Sequence, residues 1–336
     1  MTTWSVLQRA FGWGGVIAFH GVGRDPHLPV MHVSPETLAA QLRHMKNSYS
    51  VVSLRELLAR WRVRGSTNGC VAITFDDAYI GVLKYALPVL RELNLPATVF
   101  VASDHARRGS AYWWDAAELD RLSAPGNAWT NAPAAVGLPP CDTSDPTATD
   151  RIRSRVLARF AGRWPDALVA SEDSDWRSMN FGELATLAAD ERIDFGVHTV
   201  THPALPFLSF DEQIAEIHDN LTALRERLPR VLPVVAYPYG LYDSTTLRAA
   251  SAAGMSAGFT MEGRAAGERP SLMTVPRVGA GEIHAPMALA RKLNRALRPA
   301  LVIRNRGIHP RMPRDPLAGG EQMARRTGAF ATVRDL

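Results

Sequence analysis

Cysteine is nearly absent: only Cys70 and Cys141 occur in 336 residues. They lie far apart and form no CxxC unit, which argues against a disulfide framework or a cysteine-built zinc site. Long apolar runs are missing as well. No window reaches the uninterrupted length of about 20 residues that a membrane span needs. Met1 to Gly15 lacks the charged start, apolar core and small-residue cleavage site of a secretory signal. A cytoplasmic protein is therefore expected, and peripheral contact with a membrane is compatible with it. Basic and aromatic residues are not interleaved as in nucleic-acid binders, so nucleic acid is not an expected partner. Much of the net charge of +5 comes from the arginine-rich C-terminal stretch. Such diffuse charge suits anionic glycans or lipid headgroups without selecting either.

What is present is a series of short apolar runs that end in chemistry. Val71 to Phe75 reads as a buried parallel strand, and it stops at Asp76-Asp77. Two adjacent acids are costly to bury unless a cation or a shared proton relieves them. In α/β folds ligands bind at the carboxyl ends of strands, so the pair marks a metal or acid–base site. The alternative at this point is that both acids merely cap the next helix. Gly15 to Phe19 is a second such strand, with His20 at its end as a site residue or a plain core histidine. Ile193 to Val197 runs into His198 and His202, and Val231 to Ala236 runs into Tyr237-Pro238-Tyr239-Gly240.

Between the strands the pattern is helical. Ser34 and Pro35 open one helix, and Ser53 with Glu56 reads as a capping box for another. Ala78 to Leu93 reads as a helix that Pro88 must kink, and Ala97 to Val101 completes a βαβ unit. Further helices are expected over Phe210 to Leu228, from Asp243 to Ala253, and over Pro286 to Leu297. The expected organisation is one catalytic domain over 1–304, interrupted by an insertion over about 105–180, and a disordered basic tail over 305–336. Trp113 and Trp114, at the head of the insertion, suit either stacking on sugar rings or anchoring the insertion to the body.

Two histidines four apart and a carboxylate from a distant strand make a two-His-one-carboxylate metal site with room left for water and substrate. The second acid is then free to act as general base. At this point the residues also resemble a known family. Thr74-Phe75-Asp76-Asp77 and His198-Thr199-Val200-Thr201-His202 resemble the first two signature motifs of the polysaccharide deacetylases, the NodB-homology group of carbohydrate esterases. Tyr237-Pro238-Tyr239-Gly240 resembles the third, and the likeness runs from about His20 to Val278. Phe19-His20-Gly21-Val22 and Val33-Ser34-Pro35-Glu36 are similar to the subgroup associated with exopolysaccharide biosynthesis.

The resemblance implies an α/β fold, a distorted (β/α) barrel of about seven parallel strands. It implies metal-dependent removal of N-acetyl groups from the amino sugars of a glycan or its lipid-linked precursor. Carried over, Asp77, His198 and His202 hold the metal, commonly zinc; Asp76 is the general base toward a metal-activated water; the Tyr239 backbone N–H serves an oxyanion hole. Two departures stand out. The arginine that normally precedes the third motif's proline by two residues is Ala236 here. Arg277, on a later strand, is a candidate replacement; the alternative for it is a surface arginine. The C-terminal Leu-x-His that supplies an acid in many relatives is approached only by Glu282-Ile283-His284, so His20 is the better candidate for the acid or a substrate contact. A related amidase on a non-sugar amide, or an inactive carbohydrate-binding relative, remains an alternative reading.

Overall fold

The computed structural model describes residues 15–63, 69–112, 114–115, 174–261 and 271–293. Its strands are β1 (Gly15–Phe19), β2 (Ser50–Val51), β3 (Cys70–Phe75), β4 (Ala97–Val101), β5 (Ile193–Val197), β6 (Val231–Ala236), β7 (Ala257–Thr260) and β8 (Val275–Gly279). All pairings between them are parallel. β3 to β8 follow chain order, and β1 closes the sheet by pairing with both β8 and β3. The result is a closed barrel of seven strands with β2 added beside β3, as the α/β barrel expectation holds. The distortion has two sources. β2 pairs with β3 only at Cys70 and Val71, while β4 pairs with it at Thr74 and Phe75. The β5–β6 register also slips between Phe195 and Val197.

The strands are apolar on both faces because both faces are covered. Val16, Ala72, Phe100, Val234, Phe259 and Val275 form one buried cluster, into which Leu54, Leu57 and Leu58 of helix α2 (Leu54–Arg62) also pack. The alternate residues Ile17, Ile73, Val99 and Phe195 pack instead with the outer helices through Leu38, Leu42, Leu90 and Leu187. That alternation is the period of two that a pleated strand imposes.

Among the described residues the helices are α1 (Pro35–Ser48), α2, α3 (Leu87–Leu93), α4 (Ser103–Arg108), α5 (Phe181–Ala188), α6 (Phe210–Arg225), α7 (Ser244–Ala252) and α8 (Pro286–Leu293). Ser34 and Ser53 cap α1 and α2 through their side chains. The reciprocal bond expected from Glu56 is replaced, since its carboxylate goes to Arg60 at 2.6 Å. Complete capping boxes occur instead at Asn180/Glu183 and Ser209/Glu212. Pro88 distorts its helix by widening it: a π turn over Val82–Ala86 precedes α3. Proline has no N–H to donate and its ring crowds the carbonyl four residues back, so the wider turn relieves both faults. Helix α4 carries no sequence signal, because six residues are too few for a periodic pattern. Trp113, most of the insertion and the expected tail lie outside the described residues, and no helix among the described residues is long and apolar enough to cross a membrane.

One glycine fixes how the loop after β1 meets the loop after β3. A Cβ on Gly81 would lie 1.6 Å from the Val22 carbonyl oxygen. Backbone must move to admit it, so Gly81→Ala should destabilise the protein by about 3 kcal/mol, the upper end of overpacking costs. Urea denaturation measures this, and a change under about 0.5 kcal/mol, typical of surface substitutions, contradicts the contact.

Candidate functional site

The inward parity of the strands accounts for most of the site. Val16 and Ala72 share the inner cluster, and counting by twos reaches His20 and Asp76 just past the ends of β1 and β3. β1 and β3 run in phase, with Phe19 opposite Phe75, and the Asp76 N–H donates to the Phe19 carbonyl at 2.8 Å. His20 and Asp76 therefore emerge side by side, with His20 Nε2 3.8 Å from Asp76 Oδ2. On the other flank Val16 pairs with Arg277, which follows Val275 on the same inner parity.

Arg277 is 3% exposed, so the surface-arginine alternative is excluded. Its guanidinium meets Asp76 two-pronged, at 2.6 Å to each carboxylate oxygen, and lies 5.4 Å over the Phe100 ring. Burial alone would raise the Asp76 carboxyl; the Arg277 charge, with smaller help from His198, outweighs it and holds the group at about 2.

Asp77 should point the opposite way from Asp76 by strand alternation. It does not, because Asp77 and Ala78 adopt left-handed conformations, φ 66° and 51°. The Asp77 carbonyl of that turn accepts a hydrogen bond from Tyr112 at 3.1 Å. Neither acid caps a helix, which removes the structural alternative. Asp77 Oδ1 instead lies 3.4 Å from His198 Nε2 and 3.5 Å from His202 Nε2. This oxygen is buried and accepts no hydrogen bond from protein.

The two histidines are held from behind. His198 Nδ1 donates to the Ala236 carbonyl at 2.8 Å, which leaves Nε2 facing Asp77. Thr199 and His202 are also left-handed, φ 67° and 58°, so the chain turns back on itself between the histidines. Glu216 of α6 pins this turn, accepting from the N–H groups of Val200 and Thr201 at 2.8 and 2.9 Å. Asn220, one turn on, accepts from the His198 N–H and donates to the carbonyls of Val101 and Thr199. Sequence reasoning missed both. Their signal is a polar pair spaced i, i+4 beside the apolar stripe of Ile217, Leu221 and Leu224 on an amphipathic helix.

The three atoms Asp77 Oδ1, His198 Nε2 and His202 Nε2 suit a metal ion. A tetrahedral ion with ligands at about 2.1 Å sets its donors about 3.4 Å apart, close to the two separations here. Burial would lower the His198 imidazole, yet the Asp77 and Asp76 carboxylates outweigh it and raise it. The two carboxylates thus favour positive charge at the His198 nitrogen that faces Asp77.

His20, His198, His202, both aspartates and Arg277 line one cavity of about 200 Å³. Burial lowers the His20 imidazole against the pull of Asp76 and Asp77. Tyr239 sits in a left-handed turn, φ 60°, with its ring edge-on to His202 at 4.8 Å. Trp114 is 2% exposed and donates from Nε1 to the Tyr79 hydroxyl at 2.8 Å, the anchoring role; it also forms part of the cavity wall. His284 reaches the cavity too, but burial and then Lys292 lower it to about 4. Glu282 beside it locks the β8 loop to α1 through the Ser34 N–H at 2.7 Å.

The sequence profile of the polysaccharide deacetylase family matches residues 64–132 and 156–258, just over half of the chain. These spans hold the acid pair, both histidines and Tyr239, and exclude His20 and Arg277. No curated protein sequence matches the chain significantly. Among solved structures, the fold is similar to the Streptococcus pyogenes deacetylase PplD in complex with acetate, at TM-score 0.56 and 18% identity over 84% of this chain and 99% of that one. It is similar to IcaB from Ammonifex degensii, at TM-score 0.56 and 18% identity over 84% and 97%. A de-N-acetylase from Aggregatibacter actinomycetemcomitans aligns at TM-score 0.55 and 14% identity over 83% and 99%.

Proposed function

Because the chain belongs to the polysaccharide deacetylase family, we propose that it hydrolyses the N-acetyl group of amino sugars in a glycan or its lipid-linked precursor, with a divalent metal, zinc first among them. One observation carries the reading. Two adjacent carboxylates stand in unlike environments, Asp76 clamped by Arg277 and Asp77 facing two imidazole nitrogens. Hydrolysis of an amide needs that division between a proton acceptor and an electrophile holder.

Asp77, His198 and His202 would hold the ion, which supplies Lewis-acid polarisation of the amide carbonyl and a more acidic water. Asp76 takes the proton of the attacking water. Arg277 keeps both Asp76 oxygens oriented and the carboxylate charged. A carboxyl held near 2 is a weak resting base, and once protonated it gives its proton up readily. His20 is the group beside it, neutral at rest because burial lowers it, and so able to receive that proton and pass it to the leaving amine. The Tyr239 N–H donates to the oxyanion. Ala236 does not weigh toward an inactive relative, since its carbonyl serves His198 and a guanidinium reaches Asp76 from β8 instead.

The test is metal content together with acetate release from N-acetylglucosamine oligomers. Chelation should abolish release and zinc restore it, and His198→Ala should lose the catalytic ion along with activity. Full turnover by chelated, metal-free protein refutes the metal-dependent reading. Turnover only on small non-sugar amides would move the protein to the amidase reading.

A further inference from the structure

We propose a second metal site, enclosed and structural, formed by His27, His32 and Asp115. It is independent of the deacetylase reading. His27 and His32 belong to the loop between β1 and α1, and Asp115 to the head of the insertion. His27 Nε2 and His32 Nε2 each lie 3.2 Å from Asp115 Oδ1, and the three donor atoms fall within 4.8 Å of one another. Asp115 and His32 are fully buried.

A hydrogen-bond network accounts for part of this cluster. His27 pairs with Asp115, and the Tyr79 hydroxyl donates to Asp115 Oδ2 at 2.5 Å. It does not account for His32. That ring lies flat on Trp176, 4.1 Å between centroids, and neither of its buried nitrogens makes a hydrogen bond. His32 Nε2 is near the carboxylate oxygen without the alignment of a bond to it. Buried imidazoles with both nitrogens unsatisfied are rare because they are costly. An ion bound by both Nε2 atoms and Oδ1 gives His32 Nε2 a partner, and the two 3.2 Å separations approach the roughly 3.4 Å edge of a tetrahedral site. The Tyr79 bond to Oδ2 is then the outer contact that orients a ligating carboxylate. Two imidazoles and one carboxylate select a zinc-class ion over magnesium or calcium, which want oxygen donors. Trp114, next to Asp115, lies 5.1 Å from His202 in the catalytic cavity. The ion would tie the β1 loop to this wall of the pocket.

Atomic emission on the full chain, stripped and reloaded with zinc, tests the site. Two zinc ions per chain are expected in the wild type, one in His27→Gln, one in Asp77→Asn and none in the double variant. Anomalous diffraction from zinc-loaded wild-type crystals should give a peak between His27 and Asp115, and it decides the matter if His27→Gln fails to fold. An unchanged zinc count in folded His27→Gln, or no anomalous peak there, overturns the proposal. An unchanged count in Asp77→Asn strikes the catalytic site alone, so the two readings fail separately.

Discussion

Asp76→Asn should lower kcat on an N-acetylglucosamine oligomer by roughly 10²–10⁴, the range of general acid–base catalysis, while zinc content stays at the wild-type value. Asparagine keeps the shape of the side chain and loses its capacity to take a proton. Asp77 follows Asp76 directly but turns its carboxylate to His198 and His202, and His198 is fixed from behind by the Ala236 carbonyl, so the ligand set has its own supports. Retained activity with retained metal removes Asp76 from the base role. Lost metal would mean that the two carboxylates are not divided between base and ligand as proposed. The substitution leaves the buried Arg277 charge uncompensated, so the assay belongs well below the variant's melting temperature, read separately.

Arg277→Ala should cost both stability and rate. It strips a buried carboxylate of its two-pronged partner, a change that typically costs about 3–5 kcal/mol. It also frees Asp76 to turn, so kcat should fall at least about tenfold further than KM changes, with zinc retained. Arg277→Lys should fall between, because a single ammonium cannot meet both oxygens. The pH dependence in metal-free protein gives a sharper signature. In the wild type the Asp76 carboxyl is depressed from 3.8 to about 2. Its contribution is fully present above the unfolded value and is lost as pH falls through the folded one, so stability should drop between pH 3.8 and about 2. Without the guanidinium, the burial cause dominates and the carboxyl is raised instead. Its effect then reverses sign, and acidification through the raised value should stabilise the variant relative to its own neutral-pH state. Melting temperatures of the pair across acid pH measure this; parallel curves would sink the ion-pair account.

Much of the architecture could be read from the chain because the signals are local. Each strand is a short apolar run closed by a turn, and Ser34, Ser53 and Asp243 cap their helices through side chains within reach of the next turn. The chemistry-bearing ends were legible on the same grounds, since a polar residue directly after a buried parallel strand stands at the mouth of the sheet, where ligands bind. Other limits are set across the sheet: Leu272–Thr274 is a 3₁₀ turn before β8, and β8 runs on to Gly279, which pairs with Ala18 of β1.

Order of chemistry along the chain was therefore decided by sequence: acid pair, then two histidines, then the tyrosine turn, with His20 and Arg277 as outliers in need of a partner. Which groups meet was decided only by closure of the barrel. Arg277 and Asp76 are 201 residues apart, and no pattern along the chain measures that distance. β1 slots between β3 and β8, in register with both, and so brings a guanidinium and a histidine to either side of one carboxylate. That Asp77 faces the same cavity as Asp76 needed the left-handed turn after β3, which depends on packing and is not dictated by residues as ordinary as Asp and Ala. The gathering of His27, His32 and Asp115 is of the same kind. Neighbours in sequence set local conformation; contacts between distant elements, across the closed sheet for the first cluster and between loops for the second, are set by global geometry.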